Sequence, residues 1–247
     1  MKAMVFAAGL GTRLRPLTDT MPKALVKVAG KPLLSRVIDK LASAGYDDIV
    51  VNVHHFPEQI KAYLADSGHG VRISISDESS ALLETGGAIL HAKALLEDSD
   101  GPFLVHNVDI LSDLDLQWFR SESRPGALAN LLVSDRQTQR YFLFDDDMRL
   151  AGWTNLATGE VRSPFHGLDP AKCRRYAFAG IHNISPQVFE AFDKLGFSGR
   201  FPIVDFYLKA CAEYPVYGIV PGDLHLIDVG KAGSIEEAEN FLSIFAI

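Results

Sequence analysis

Two parts of the chain bring together residue types that could handle phosphate. Near the start, the apolar run Val5-Phe6-Ala7-Ala8 feeds Gly9-Leu10-Gly11-Thr12-Arg13, and Lys23 follows after a short polar stretch. Glycines carry no Cβ and let backbone N–H groups approach a phosphate. A guanidinium offers a fixed fork of donors, and a lysine adds a mobile point charge. Further on, Phe103-Leu104-Val105-His106-Asn107-Val108-Asp109 is an apolar run that ends in a carboxylate, and Leu224-His225-Leu226-Ile227-Asp228 repeats the form more than a hundred residues later. Taken alone, an aspartate at a strand end is as readily a cap as a functional group.

Charge is distributed unevenly along the chain. The protein is acidic overall, at -7, yet residues 1–36 hold seven basic side chains against the single acid Asp19, which leaves the remainder at about -13. A local anion site is the expectation, and general binding to nucleic acid is not. Cys173 and Cys211 form no CxxC pair, so neither a disulfide framework nor a thiolate metal site is indicated. The N-terminus has no export signal and no apolar run is long enough to span a bilayer, so a soluble cytoplasmic protein without membrane contacts is expected.

These residues need elements to hold them. Apolar periodicity predicts strands at 4–8, 48–53, 71–76 and 103–108, alternating with helices at 32–44, 57–65 and 86–96. Such βαβ repetition predicts a mostly parallel sheet with helices on both faces, and ligands at the carboxyl ends of its strands. After residue 113 the pattern changes to strands at 127–134, 141–144, 175–184, 216–220 and 225–229, with helices at 186–194, 204–213 and 234–245. With 247 residues, 47% of them hydrophobic, one α/β domain over residues 1–247 is expected. No repeat is present that would build an appended β-helix.

The glycine turn lacks the third glycine of a dinucleotide fingerprint and the Gly-Lys-Ser/Thr ending of a P-loop. The ordered set Ala7-Ala8-Gly9-x-Gly11-Thr12-Arg13-x-x-Pro16-x-Thr18, followed by Pro22-Lys23, instead resembles the signature of the sugar-1-phosphate nucleotidyltransferases. That resemblance implies a three-layer, Rossmann-like (GT-A-like) α/β fold with a mostly parallel, mixed central sheet, in a single domain with a nucleotide-binding half at 1–112 and a sugar-phosphate-binding half at 113–247. It implies that Ala8, Gly9, Gly11, Thr12 and Arg13, with Gly86 and Gly87 of the Leu83-Glu84-Thr85-Gly86-Gly87 loop, contact a nucleoside triphosphate. It places Lys23, Gly152 and Gly180 on the side of the sugar 1-phosphate. It makes Asp109 and Asp228 ligands of a catalytic Mg²⁺, and Arg13, Lys23 and Asp109 the catalytic set. Val108 stands where the family usually has glycine. The 83–88 segment and the 176–186 strand resemble the N-acetylmuramate-1-phosphate uridylyltransferase branch of the family most. The Leu83-to-Gly87 loop also admits a purely structural reading, with Thr85 as a helix cap.

The chemistry implied is in-line attack of a sugar-phosphate oxygen on the α-phosphorus of the triphosphate, releasing pyrophosphate. The second pKa of a phosphate monoester lies near ~6, so the nucleophile is largely dianionic at neutral pH and needs no general base. The work left to the protein is to position two anions and screen their repulsion. Guanylyl or cytidylyl transfer to mannose or heptose 1-phosphate or to phosphocholine, and a non-catalytic nucleotide-sugar sensor, are the alternatives. A monomer or small homo-oligomer is expected. Asp145-Asp146-Asp147 reads as a solvated turn, and His54-His55 as strand-end neighbours that point apart.

Overall fold

The computed structural model describes residues 1–230 and 233–245. In chain order the first half holds β1 (Lys2–Phe6), β2 (Lys27–Val28), β3 (Lys31–Pro32), α1 (Leu33–Ser43), β4 (Asp48–Val53), α2 (Pro57–Asp66), β5 (Arg72–Asp77), α3 (Glu84–His91), α4 (Lys93–Leu96), β6 (Phe103–Asn107) and β7 (Ile110–Ser112). The second half adds α5 (Leu116–Glu122), β8 (Ala129–Ser134), β9 (Arg140–Phe144), β10 (Leu150–Asn155), β11 (Glu160–Arg162), β12 (Arg174–Ile184), α6 (Val188–Lys194), α7 (Ile203–Ala210), β13 (Val216–Ile219), β14 (Leu226–Asp228) and α8 (Ser234–Phe245).

One sheet runs through both halves in the order β11-β10-β9-β12-β6-β1-β4-β5, with β8 and β13 joined to it beside β12. Strands β6, β1, β4 and β5 are mutually parallel, as the βαβ alternation requires. The long β12 runs antiparallel to β6, β8 and β9 and thereby turns the parallel half into a mixed sheet. Two short ribbons, β7–β14 and β2–β3, lie outside it.

Helices cover both faces, so the central strands are apolar on both sides rather than alternating. Successive residues of β1 face opposite ways: Ala3 and Val5 join one buried cluster, with Leu33, Leu34, Val37, Ile38 and Leu41 of α1. Met4 joins the other, with Ile89 of α3, Phe192 of α6 and Phe206 of α7. Each fully buried side chain of this kind contributes about 1.5–3 kcal/mol relative to exposure. Helix α1 stops at Gly45, whose φ of 90° carries its N–H back to the Ala42 carbonyl at 2.9 Å.

Three of the departures from the sequence-based expectation lie at or beside the strand-end cleft described below. Strand β1 ends at Phe6 instead of residue 8, because the Ala7 N–H donates to the Asn52 side-chain oxygen at 2.7 Å. The helix expected at 86–96 starts earlier and divides at Ala92 into α3 and α4. Thr85 is not its cap. The helix begins at Glu84, itself at φ 61°, and the Thr85 hydroxyl accepts a bond from the Ile203 N–H at 2.9 Å, which ties α3 to α7. No helix among the described residues is long and apolar enough to cross a membrane.

Candidate active site

A cleft of about 430 Å³ opens at the carboxyl ends of β1, β4 and β6. Ala8, Gly9, Gly11, Thr12, Arg13, Lys23 and Asp109 all line it, so the structure brings together the glycine turn, both basic residues and one of the aspartates. A wider groove of about 850 Å³ lies around Lys2, Arg72 and Arg124, at the opposite ends of the strands, and holds none of the predicted site residues.

The turn is built from local constraints. Gly11 sits at φ 64°, where an L side chain is strained, and its carbonyl accepts from the Thr18 hydroxyl at 2.8 Å and from the Leu14 N–H at 2.8 Å. A Cβ on Gly11 would stand 2.8 Å from the Thr18 methyl group. Gly9, by contrast, has nothing within 4 Å of where its Cβ would lie. Beneath the turn, Ala7 is held by Asn52, and the Asn52 amide donates to Glu78 at 2.8 Å. Glu78 is only 1% exposed, and burial raises its carboxyl above the usual range. Asn52 and Glu78 both line the cleft. The sequence offered little to single them out, since each is one polar residue at a strand end.

The two distant aspartates meet through the small ribbon. In β7–β14, Asp228 stands opposite Ile110, the residue after Asp109, and the Val229 N–H donates to the Asp109 carbonyl at 2.8 Å. Lys23 is 7% exposed and ion-paired with Asp109. Burial, and then the negative charge of Asp109, raise the Asp228 carboxyl, while Lys23, Arg13 and Arg136 pull it down. Gly230 makes the junction possible: a Cβ there would lie 2.6 Å from the Asp228 carboxylate and 2.9 Å from the Arg13 guanidinium.

The remaining glycines are placed differently. Gly86 and Gly87 do not line the cleft. Their N–H groups donate to the Phe201 carbonyl at 2.9 and 3.1 Å, and a Cβ would strike the Phe201 ring at 2.2 Å or the Gly199 carbonyl at 2.3 Å. Glu84 and Thr85 reach the cleft in their stead. Gly180, at φ 75°, lies where β12 shifts register, against the Asn107 amide that faces the cleft. Gly152 is packed in β10 under Leu168 and the Arg162 carbonyl, apart from this cleft. Val108 packs in the buried cluster around α1 as well as at the cleft edge. Asp145 accepts from the N–H groups of Asp147 and Arg149 in a turn, and His54 and His55 bond to separate carbonyls, of Glu78 and Thr18.

A glycine turn with a guanidinium and a lysine, facing the Asp109 carboxylate across one cleft at the strand ends of this mixed sheet, with Asp228 held beside Asp109 by the β7–β14 ribbon, is the arrangement expected of a nucleotidyltransferase. The Nucleotidyl transferase family profile matches residues 2–141, and the chain belongs to that family. It is 36% identical over 233 residues to the N-acetylmuramate alpha-1-phosphate uridylyltransferase of Caulobacter vibrioides, covering 90% of this chain and 89% of that protein. It is 49% identical over 116 residues to the enzyme of the same name from Neisseria meningitidis serogroup B, covering 47% and 49% of the two chains. The crystal structure of HddC from Yersinia pseudotuberculosis superposes with a TM-score of 0.73 over 98% of this chain and 99% of its own; at 21% identity the likeness is one of fold.

Proposed function

We propose that the protein transfers the uridylyl group of UTP to N-acetylmuramate 1-phosphate, in the cytoplasm, releasing pyrophosphate. The observation that carries this reading is the near full-length match to the Caulobacter vibrioides uridylyltransferase, in a chain whose Arg13, Lys23 and Asp109 line one cleft, with Asp228 held beside Asp109 by the β7–β14 ribbon. An oxygen of the sugar phosphate forms the new bond to the α-phosphorus, and the bond to the bridging oxygen of the β-phosphate breaks, that oxygen leaving with the electron pair on pyrophosphate. Backbone N–H groups of the 8–13 turn hold the triphosphate, Arg13 neutralises the leaving half, and Lys23 screens the approach of the second anion.

Asp109 and Asp228 suit a magnesium ion. Their oxygens are hard donors, burial and then the negative charge of Asp109 raise the Asp228 carboxyl, and no third metal-binding side chain groups with them among the described residues. Phosphate oxygens and water would complete the shell. When bound, the metal supplies charge neutralisation at the phosphates.

Residues 1–112 supply most of the nucleotide cleft, and 113–247 the acceptor side. There, Arg136 and Arg140 border a pocket of about 200 Å³ with Trp153 and Phe178. Arg136 donates to the Phe178 carbonyl at 3.1 Å, two residues from Gly180, and its charge reaches Asp228. Aromatic faces beside two guanidinium groups suit a sugar that bears a carboxylate, as N-acetylmuramate does. Pyrophosphate release measured with Mg²⁺ across UTP, GTP and CTP, each with N-acetylmuramate, N-acetylglucosamine and mannose 1-phosphates, tests the reading. UTP with N-acetylmuramate 1-phosphate is expected to give the highest kcat/KM. A higher value for GTP with mannose 1-phosphate overturns it.

A further inference from the structure

A second cavity, of about 360 Å³, lies between α1, β7 and α8 and shares no lining residue with the catalytic cleft. Three polar groups that the transfer reaction does not use converge on it. Lys40 is partly buried and donates to the Ser112 carbonyl at 2.5 Å and the Ser112 hydroxyl at 3.3 Å, while the carboxylates of Asp113 and Asp115 act on it only from beyond ion-pair contact. Burial pushes its pKa down to about 8, against the opposite pull of Asp113 and Asp115. Arg36, one turn earlier on the same helix face, donates to the carbonyls of Val28 and Ala29 and likewise meets no acid. Like charges at this spacing repel. The third group is His106. Its Nδ1 faces the Asn107 carbonyl at 2.7 Å and therefore carries the proton, which leaves Nε2 a bare acceptor, buried and without a partner. A buried acceptor left unmade costs about 1–3 kcal/mol.

We propose that this cavity is an effector site for a small phosphate monoester, its phosphate held between Lys40 and Arg36 and one of its hydroxyl groups donating to His106 Nε2. The volume exceeds what orthophosphate alone would fill and accommodates a phosphorylated small polyol. The wall also carries two carboxylates, Asp39 and Asp113, but Asp39 is paired with Lys31 and His69 and Asp113 with His225, so the phosphate meets the two cations that have only carbonyl and hydroxyl partners, and the imidazole gains a donor. Occupancy is coupled to the catalytic cleft by β7. Ser112, which Lys40 holds, ends the strand that begins beside Asp109, and the same ribbon sets the position of Asp228. A phosphate that draws Lys40 away from Ser112 shifts that ribbon and changes turnover.

Thermal unfolding with inorganic phosphate and with glycerol 3-phosphate as probes tests the site. Phosphate also has a place in the catalytic cleft, so wild type is compared with Arg13→Ala, Lys40→Met and Arg36→Gln. A rise of roughly 3 to 6 °C is expected at about ten times the dissociation constant. It persists in Arg13→Ala and disappears in Lys40→Met and Arg36→Gln, whose own folding is checked by their unfolding without probe. A shift that survives both α1 substitutions, or vanishes in Arg13→Ala, overturns the site. Tighter binding of glycerol 3-phosphate than of phosphate supports the monoester, and the reverse order overturns that assignment. A probe-dependent change in kcat at saturating substrates in wild type, absent in Lys40→Met, supports the coupling through β7; an unchanged kcat in wild type overturns it.

Discussion

Lys23 and Asp109 are ion-paired at the floor of the nucleotide cleft, so the lysine neutralises the carboxylate that is proposed to hold the metal. In the proposed reaction Lys23 is a stand-in cation that the nucleotide and a bound metal would displace toward the phosphates. Lys23→Met is expected to lower kcat at least a hundredfold, the scale of losing one electrostatic contact to the transferring group, about 3 kcal/mol. It should also leave Asp109 and Asp228 facing each other with less screening. Mg²⁺ alone is then expected to raise the melting temperature of Lys23→Met more than that of wild type, since the ion no longer competes with the lysine. An equal or smaller rise, measured by thermal unfolding with and without Mg²⁺, means that Lys23 and the metal do not share Asp109.

Gly230 separates a folding effect from a functional one. Its Cβ would meet only side-chain ends, the Asp228 carboxylate at 2.6 Å and the Arg13 guanidinium at 2.9 Å. Both can move without disturbing the backbone, so Gly230→Ala is expected to keep its melting temperature within about 3 °C of wild type, the scale of ~1 kcal/mol. The displaced groups are two of the four that define the site, and kcat/KM is expected to fall at least tenfold. A normal kcat/KM would remove Arg13 and Asp228 from the transfer step.

Much of this arrangement was legible in the residues themselves. The 2–8 to 103–109 half follows from apolar periodicity broken by glycine and proline, which is a local property, and the 48–53 strand has the expected limits. The glycine turn and Lys23 stood out because several residue types coincide at fixed offsets, and Asp109 because an apolar run ends in a carboxylate at a place that matches the resembled family; the structure sets all three on one cleft. The contact between Asp109 and Asp228 was not readable from spacing, since it depends on the three-residue ribbon β7–β14, too short to show a period. Strands β10 and β11 and helix α5 escaped for a similar reason: Leu150–Asn155 mixes glycine, tryptophan and asparagine, and α5 depends on Asp115 accepting from the Gln117 and Trp118 N–H groups. Asn52, Glu78 and Arg136 were invisible as site residues, because a single polar side chain acquires its role only from what tertiary packing sets beside it.

Two glycines of the proposed nucleotide set stand in opposite surroundings, and alanine at each should act oppositely. At Gly9 a methyl group meets nothing within 4 Å, and φ is not in the left-handed region, so Gly9→Ala is expected to unfold like wild type. The methyl group intrudes on the backbone N–H groups offered to phosphate, and KM for the nucleotide should rise about tenfold, ~1.4 kcal/mol of lost binding. At Gly87 the methyl group would lie 2.3 Å from the Gly199 carbonyl, a backbone atom held in the loop before α7. Gly87→Ala is expected to lose about 1–3 kcal/mol of stability, as overpacking does, read as a lower denaturant midpoint at unchanged slope. A stable Gly87→Ala with a selectively raised nucleotide KM would instead favour direct contact between this loop and the nucleotide.

Acid sensitivity should come from two buried imidazoles. His182 is 1% exposed with Nδ1 bonded to the Tyr207 hydroxyl at 2.6 Å, and burial lowers its pKa to about 3; burial lowers that of His106 to about 4. Both are neutral in the folded state at pH 7, and in the unfolded chain both titrate near ~6.5. Above pH 6.5 neither state takes up the proton and the full stability is present. As the pH falls below that value, the unfolded chain binds protons that the folded one refuses, so stability declines by about 1.4 kcal/mol per pH unit for each histidine. The decline from His106 ends near pH 4 and that from His182 near pH 3. His182→Gln keeps a group able to bond Tyr207 and removes one of the two titrations. Urea unfolding at pH 7, 6 and 5 is expected to show the loss of stability in this variant reduced by about 0.7 kcal/mol between pH 7 and 6 and by about 1.2 kcal/mol between pH 6 and 5. An unchanged slope would mean that His182 gains its proton without unfolding.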